Sequence, residues 1–239
     1  GRAVETQLPR ARVVVNEEGV ITDATSLPNN PSSNISSQPT PFQGEERSTT
    51  TCSGCGTRCG TSVGFDGVLS VPLPQAKPKA RLQHVLNDFF GPEMVDDVDC
   101  EECGRRLGLG VCATKKVKQL RFSNHPDALI IHLKRTCWKR GTSGALGPNK
   151  ARTRVDVPDT VIVDGVDYYV YAVITHRGSH NSGHHVAYVK AGARSWTFCS
   201  DATVQVGNVH PDDDSGEVYM LFCARDCPST YPVCFPLEN

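Results

Sequence analysis

The pairs Cys52-Ser53-Gly54-Cys55 and Cys100-Glu101-Glu102-Cys103 constrain this chain more than any other feature. Two cysteines separated by two residues aim both thiolates at one ion, and two such knuckles complete a tetrahedron. Gly54 and Gly104 relieve the backbone at the turns. The expected site is therefore Cys52, Cys55, Cys100 and Cys103 around one zinc ion. With all four positions filled by protein it has no place for water or substrate, so its role is structural. The metal would clip together the ends of the 44-residue excursion between Cys55 and Cys100. Cys59 stands at knuckle-like spacing from Cys55 and is a candidate substitute ligand. The eleven cysteines are an odd number in a 239-residue chain, which fits metal-binding thiols in a reducing compartment better than a disulfide scaffold.

A formal net charge of -1 and a pI near 6.8 offer no general attraction to polyanions, so no nucleic-acid partner is expected. The longest strongly apolar run, Ala128 to Ile131, falls far short of the roughly 18 residues of a membrane span. Gly1 to Arg10 lacks the apolar core of a signal peptide, and no membrane segment is expected in this chain. Residues 1–50 are rich in Pro, Ser, Thr and Asn and read as a flexible leader or insertion, with one strand-like run at Arg12 to Val15. Residues 226–239, broken by prolines, read as a tail.

Between these segments the periodicity gives an α+β fold, largely an antiparallel sheet with one clear helix. Gly64 to Leu73 alternates as a strand and stops at Pro72 and Pro74. Leu82, Val85, Leu86 and Phe89 recur at helical spacing, and Gly91-Pro92 ends the helix. Short β-branched or aromatic runs follow at Lys115 to Phe122, Ala128 to Arg135, Thr160 to Val163, Tyr168 to His176, Val186 to Val189, Trp196 to Cys199 and Val218 to Cys223.

Ser182-Gly183-His184-His185-Val186-Ala187-Tyr188-Val189 and Ser195-Trp196-Thr197-Phe198-Cys199-Ser200-Asp201 read as a hairpin. Folded about Gly192, it sets His184 opposite Ser200, with Cβ atoms about 5 Å apart. A one-residue bulge would bring Asp201 there instead. An imidazole beside a hydroxyl or carboxylate is half of a Cys/His hydrolase centre, in which the imidazole takes the thiol proton and a third group orients it. His176, His180, His184 and His185 could alternatively gather around a metal, although no carboxylate or cysteine at ligand spacing completes the set. His84, His125, His132 and His210 read as structural, Trp196 and Phe198 as core, and Asp212-Asp213-Asp214 as a solvated loop.

The order of several segments carries a family likeness. Phe42-x-Gly44, the first Cys-x-x-Cys, a strand, a helix and the second Cys-x-x-Cys are followed by Pro126-Asp127-Ala128-Leu129-Ile130-Ile131-His132-Leu133-Lys134-Arg135 and Val155-Asp156-Val157-Pro158. Tyr171-Ala172-Val173-Ile174-Thr175-His176-Arg177-Gly178, the His184 hairpin and Val218-Tyr219-Met220-Leu221-Phe222 complete the series. From about Pro41 to Arg225 the chain resembles the C-terminal two-thirds of a ubiquitin-specific protease (peptidase C19). The resemblance implies a papain-like right-hand fold, with zinc-bearing fingers at about 51–115 and a palm at about 116–225. It also implies a deubiquitinase that hydrolyses the isopeptide bond after the ubiquitin C-terminal glycine, with ubiquitin and ubiquitinated proteins as partners.

In that family the histidine of the Gly-His-Tyr motif is the general base; here it falls on His184, with His185 at the tyrosine position. The third catalytic residue falls on Ser200, followed by Asp201, and a serine there resembles the branch carried on the mitochondrial outer membrane. His176 falls where the family lines its cleft. The family's cysteine box, Asn-x-Gly-Asn-Thr-Cys, occurs nowhere in the sequence. Cys112, Cys137, Cys199, Cys223, Cys227 and Cys234 lack that context. The nucleophile is thus expected from an upstream segment or a partner chain, and the 239 residues alone are expected to be inactive. The rival readings are a ubiquitin-binding scaffold without catalysis and a zinc-ribbon interaction protein.

Overall fold

Strand pairing, far more than helix packing, organises this chain. The computed structural model describes residues 40–74, 77–140, 146–192, 195–207 and 209–225. A hairpin of β1 (Gly44–Cys52) and β2 (Arg58–Phe65) comes first, followed by β3 (Val68–Pro72), the two-residue β4 (Lys79–Ala80) and helix α1 (Leu82–Phe90). β5 (Glu93–Cys100) leads directly into the short helix α2 (Glu101–Arg106), and β6 (Cys112–Asn124) and β7 (Ala128–Lys134) return. β8 (Thr136–Arg140) pairs with β9 (Leu146–Lys150) ahead of β10 (Arg154–Val155), β11 (Thr160–Val163) and β12 (Val166–Gly178). The last four strands are β13 (Gly183–Gly192), β14 (Ser195–Ser200), β15 (Thr203–Val206) and β16 (Glu217–Ala224).

The larger sheet has eight strands in the order β15-β14-β13-β12-β16-β7-β3, with β11 also on β12, and it is antiparallel except where β3 meets β7. Its core is legible in the register. Leu221, Ile131 and Leu69 lie side by side across β16, β7 and β3, each no more than 2% exposed. Helix α1 lays Leu82, Val85, Leu86 and Phe90 against this core, and full burial of each such side chain contributes roughly 1.5–3 kcal/mol. The fourth buried position is Phe90, whereas Phe89 is only partly covered. Arg81 cannot cap the helix with its side chain; instead the Asp156 carboxylate accepts from the Leu82 N–H at 2.6 Å.

The smaller sheet, β2-β1-β6-β5, is entirely antiparallel and rests on little apolar burial. Seven of the eight residues of β2 are exposed. Its first strand begins at Gly44, inside the stretch expected to be a flexible leader. The segment Glu45 to Thr51 is polar, but its threonines suit a pleated strand, and β2 and β6 complete its ladder on both sides. Likewise β6 runs through the expected boundary at 115/116. Gly64 to Leu73 is two strands belonging to different sheets, divided at Asp66-Gly67, where Gly67 has φ +100° and packs against Phe42. Arg12 to Val15 and residues 226–239 lie outside the described residues.

Candidate functional site

The four knuckle cysteines converge at one end of the smaller sheet. Cys52 ends β1, Cys100 ends β5, and Cys103 lies on α2, so pairing of β1 and β5 with β6 carries the two knuckles to each other. The first knuckle is a turn in which the Gly56 N–H reaches the Cys52 carbonyl and the Cys52 N–H reaches the Thr57 carbonyl, both at 2.9 Å. The second is a helical turn, closed so tightly that a methyl group on Gly104 would meet the Val111 Cα at 2.5 Å. Cys52 Sγ lies 3.6 Å from Cys103 Sγ, Cys55 Sγ lies 3.6 Å from Cys100 Sγ, and all four sulfurs fall within 4.8 Å of one another. Zinc–thiolate bonds of about 2.3 Å give a tetrahedral edge of roughly 3.8 Å, so the four sulfurs are gathered closely enough to hold one zinc ion.

The cage also ionises unevenly. Cys52 is held down to about 5, first by the Thr114 hydroxyl, and Cys55 is lowered first by Thr57. Burial and the neighbouring sulfurs push Cys103 up. A bound cation would remove that conflict by favouring the thiolate at every position. Cys59 is exposed on β2 and outside the cluster, because its strand partner Thr50 lies two residues before Cys52.

At one end of the larger sheet, His184 Nε2 and Ser200 Oγ are 2.7 Å apart. The expected contact is present, but the register is different. Ala187 pairs with Cys199 and Tyr188 with Phe198, two residues off the pairing of a hairpin centred on Gly192, and a bulge between Lys190 and Gly192 shifts the register within the hairpin. A two-residue shift leaves His184 on the same face as Ser200, so the two meet diagonally rather than directly across. Asp201 Oδ2 lies 3.7 Å from the same nitrogen but is 85% exposed, with φ +48°. If Nε2–H donates to Ser200, the free lone pair is on Nδ1, the atom that could take a proton from a thiol. Among the described residues no cysteine sulfur lies within hydrogen-bond reach of this ring, and Cys137 and Cys223 are buried.

The remaining histidines do not form a metal cluster; among the described residues the cysteine cage is the one such group of three or more ligands. His176 and His185 stack across β12 and β13 with ring centroids 4.5 Å apart, and both rings also face Tyr219. His132 instead bonds Ser70 Oγ at 3.1 Å. Trp196 is core as expected, while Phe198 is partly covered.

The expected solvated loop Asp212-Asp213-Asp214 is corrected by the structure. Asp214 is buried, where it accepts from Thr175 Oγ1, from the Gly216 N–H at 3.0 Å and from Arg177 Nε at 2.7 Å. Burial opposes its ionisation, yet these donors together hold it below the ordinary carboxylate range. Asp212 Oδ1 accepts from the Val157 N–H at 2.9 Å. Nothing in a run of three aspartates distinguishes a solvated carboxylate from a buried one whose partners are 37 and 39 residues away.

The family model "Ubiquitin carboxyl-terminal hydrolase" matches residues 14–222. Ubiquitin carboxyl-terminal hydrolase 23 of Arabidopsis thaliana is 29% identical over 206 residues, covering 80% of this chain and 22% of that protein. Ubiquitin carboxyl-terminal hydrolase 30 of Mus musculus is 30% identical over 152 residues, covering 58% of this chain and 28% of that one. The fold is similar to that of a SAGA DUB module solved bound to ubiquitin aldehyde, with TM-score 0.60 and 21% identity over 78% of this chain and 42% of the solved one. The chain therefore spans under a third of these two relatives and less than half of the solved chain.

Proposed function

Because the chain belongs to the ubiquitin carboxyl-terminal hydrolase family, we propose that it is the histidine-bearing part of a thiol-dependent deubiquitinase that removes ubiquitin from protein conjugates. The observation that carries this reading is the 2.7 Å contact between His184 and Ser200 at the end of the sheet. His184 acts as general base at Nδ1, taking the proton of a cysteine thiol, and returns it to the leaving lysine amine once the thiolate has attacked the isopeptide carbonyl. Ser200 orients the ring. A neutral hydroxyl cannot stabilise the imidazolium as a carboxylate would, and Asp201 at 3.7 Å supplies a weak, solvent-screened share of that role.

The nucleophile comes from a segment beyond these residues or from another chain, in keeping with the fraction of its relatives that this chain spans. Zinc bound by Cys52, Cys55, Cys100 and Cys103 would supply a structural cross-link and no chemistry at the scissile bond. The 239 residues alone should leave a fluorogenic ubiquitin amide uncleaved, while the parent protein carrying the upstream segment cleaves it. Turnover by the chain alone would mean that one of its own cysteines is the nucleophile. If the parent has no cysteine box, the same geometry belongs to a ubiquitin-binding scaffold without catalysis.

A further inference from the structure

Close to His184 lies a buried charged assembly that belongs to neither the metal cage nor the His184–Ser200 contact. Lys150, the last residue of β9, has a side chain only 6% exposed. Its Nζ lies 2.7 Å from Glu217 Oε2, 2.7 Å from His176 Nδ1, and 3.1 Å from the carbonyl oxygens of both His176 and Gly178. Three ammonium protons thus serve four acceptors, and a protonated Lys150 requires His176 to be neutral with its hydrogen on Nε2.

The backbone explains why a lysine stands here. β16 begins at Glu217, opposite His176, so β12 runs on past the end of its neighbour. The Gly178 carbonyl lies beyond the last residue of that strand, and Lys150 donates to it and to the His176 carbonyl at the strand's end. On its other side β12 meets β13, with His176 opposite His185, Arg177 opposite His184 and Gly178 opposite Gly183. Lys150 therefore grips both residues that flank the register partner of His184. The fit is close: a methyl group on Gly183 would overlap the Arg177 carbonyl oxygen and the His176 ring.

We propose that Lys150 is a positioning residue for His184, fixing the end of β12 on which the imidazole is registered and joining it to the β8–β9 hairpin. The proposal rests on His184 being the general base. Burial, Lys150 and His185 together hold His176 below the ordinary imidazole range, in keeping with a ring kept neutral. Glu217, shared with Arg152 at 2.9 Å, balances the buried ammonium.

The test uses imidazole nitrogen NMR and amide hydrogen exchange on the 239-residue chain. Lys150→Met leaves Glu217 buried with one fewer partner and can fail to fold. The double variant Lys150→Met with Glu217→Met removes both charges and decides the matter. In the folded double variant, exchange at Gly183, His184 and His185 should accelerate about tenfold or more. His176 should titrate closer to the ordinary histidine range, and the Nε2–H tautomer of His184 that its role as base at Nδ1 requires should give way to a mixture of tautomers. A folded double variant with unchanged exchange and an unchanged His184 tautomer would overturn the proposal. Neither readout involves ubiquitin or turnover, so its failure is distinct from that of the deubiquitinase reading, which would appear as an inert parent enzyme.

Discussion

Exchanging Cys100 for serine is expected to abolish stoichiometric zinc binding and to melt β1, β2, β5 and the cysteine-bearing end of β6, while the eight-stranded sheet stays folded. The reasoning turns on what else could hold the smaller sheet. β2 is exposed over seven of its eight residues, and β5 buries only Cys100, so apolar burial supplies little there. Ladder hydrogen bonds contribute only about 0.5–1.5 kcal/mol each, net of their competition with water. A structural zinc supplies apparent stabilisation of roughly 10–16 kcal/mol in small zinc modules near neutral pH, and loss of one thiolate removes much of it. Metal analysis should show about one zinc per wild-type chain and far less in the variant. Amide exchange should rise across residues 44–65 and 93–118 but remain slow at Leu129, Ile131 and Leu221, which are fully buried in the other sheet. Because the ligands bind as thiolates, acid should release the metal and loosen the same strands.

The second large effect concerns turnover. His184→Ala in the parent enzyme should lower kcat/KM on a ubiquitin amide by roughly 10^4-fold or more, as loss of a general base does in a coupled nucleophile–base unit. Ubiquitin affinity should change little, since the ring is 46% exposed at the strand end and buries little surface. Ser200→Ala should cost less, because the ring can still sample productive orientations without its 2.7 Å partner. Asp201→Ala should cost least, because that carboxylate is 85% exposed and 3.7 Å away. Equal and negligible losses at 200 and 201 would remove both from the mechanism.

The sequence disclosed the features encoded by local pattern. Both cysteine knuckles, α1 and the strands at 128–134, 160–163 and 217–224 follow from spacing and β-branched content. The His184–Ser200 contact was legible because side-chain parity survives a two-residue shift, although the bulge at Lys190/Gly192 was not. What stayed hidden depends on partners remote in sequence. β1, β2 and β5 are too polar to signal a strand and exist through the neighbours on which they pair. Lys150 carries no local sign of burial, since Glu217 lies 67 residues away and the carbonyls it serves are 26 and 28 residues away.

The most direct measurement is covalent capture with ubiquitin bearing a C-terminal thiol-reactive electrophile, applied to the parent protein and mapped by mass spectrometry. One adduct is expected, on a cysteine outside these 239 residues, and its formation should slow sharply in His184→Ala. An adduct on any cysteine within the chain, or labelling equally fast without the imidazole, would contradict the assignment of His184 as the base for a thiol supplied from elsewhere.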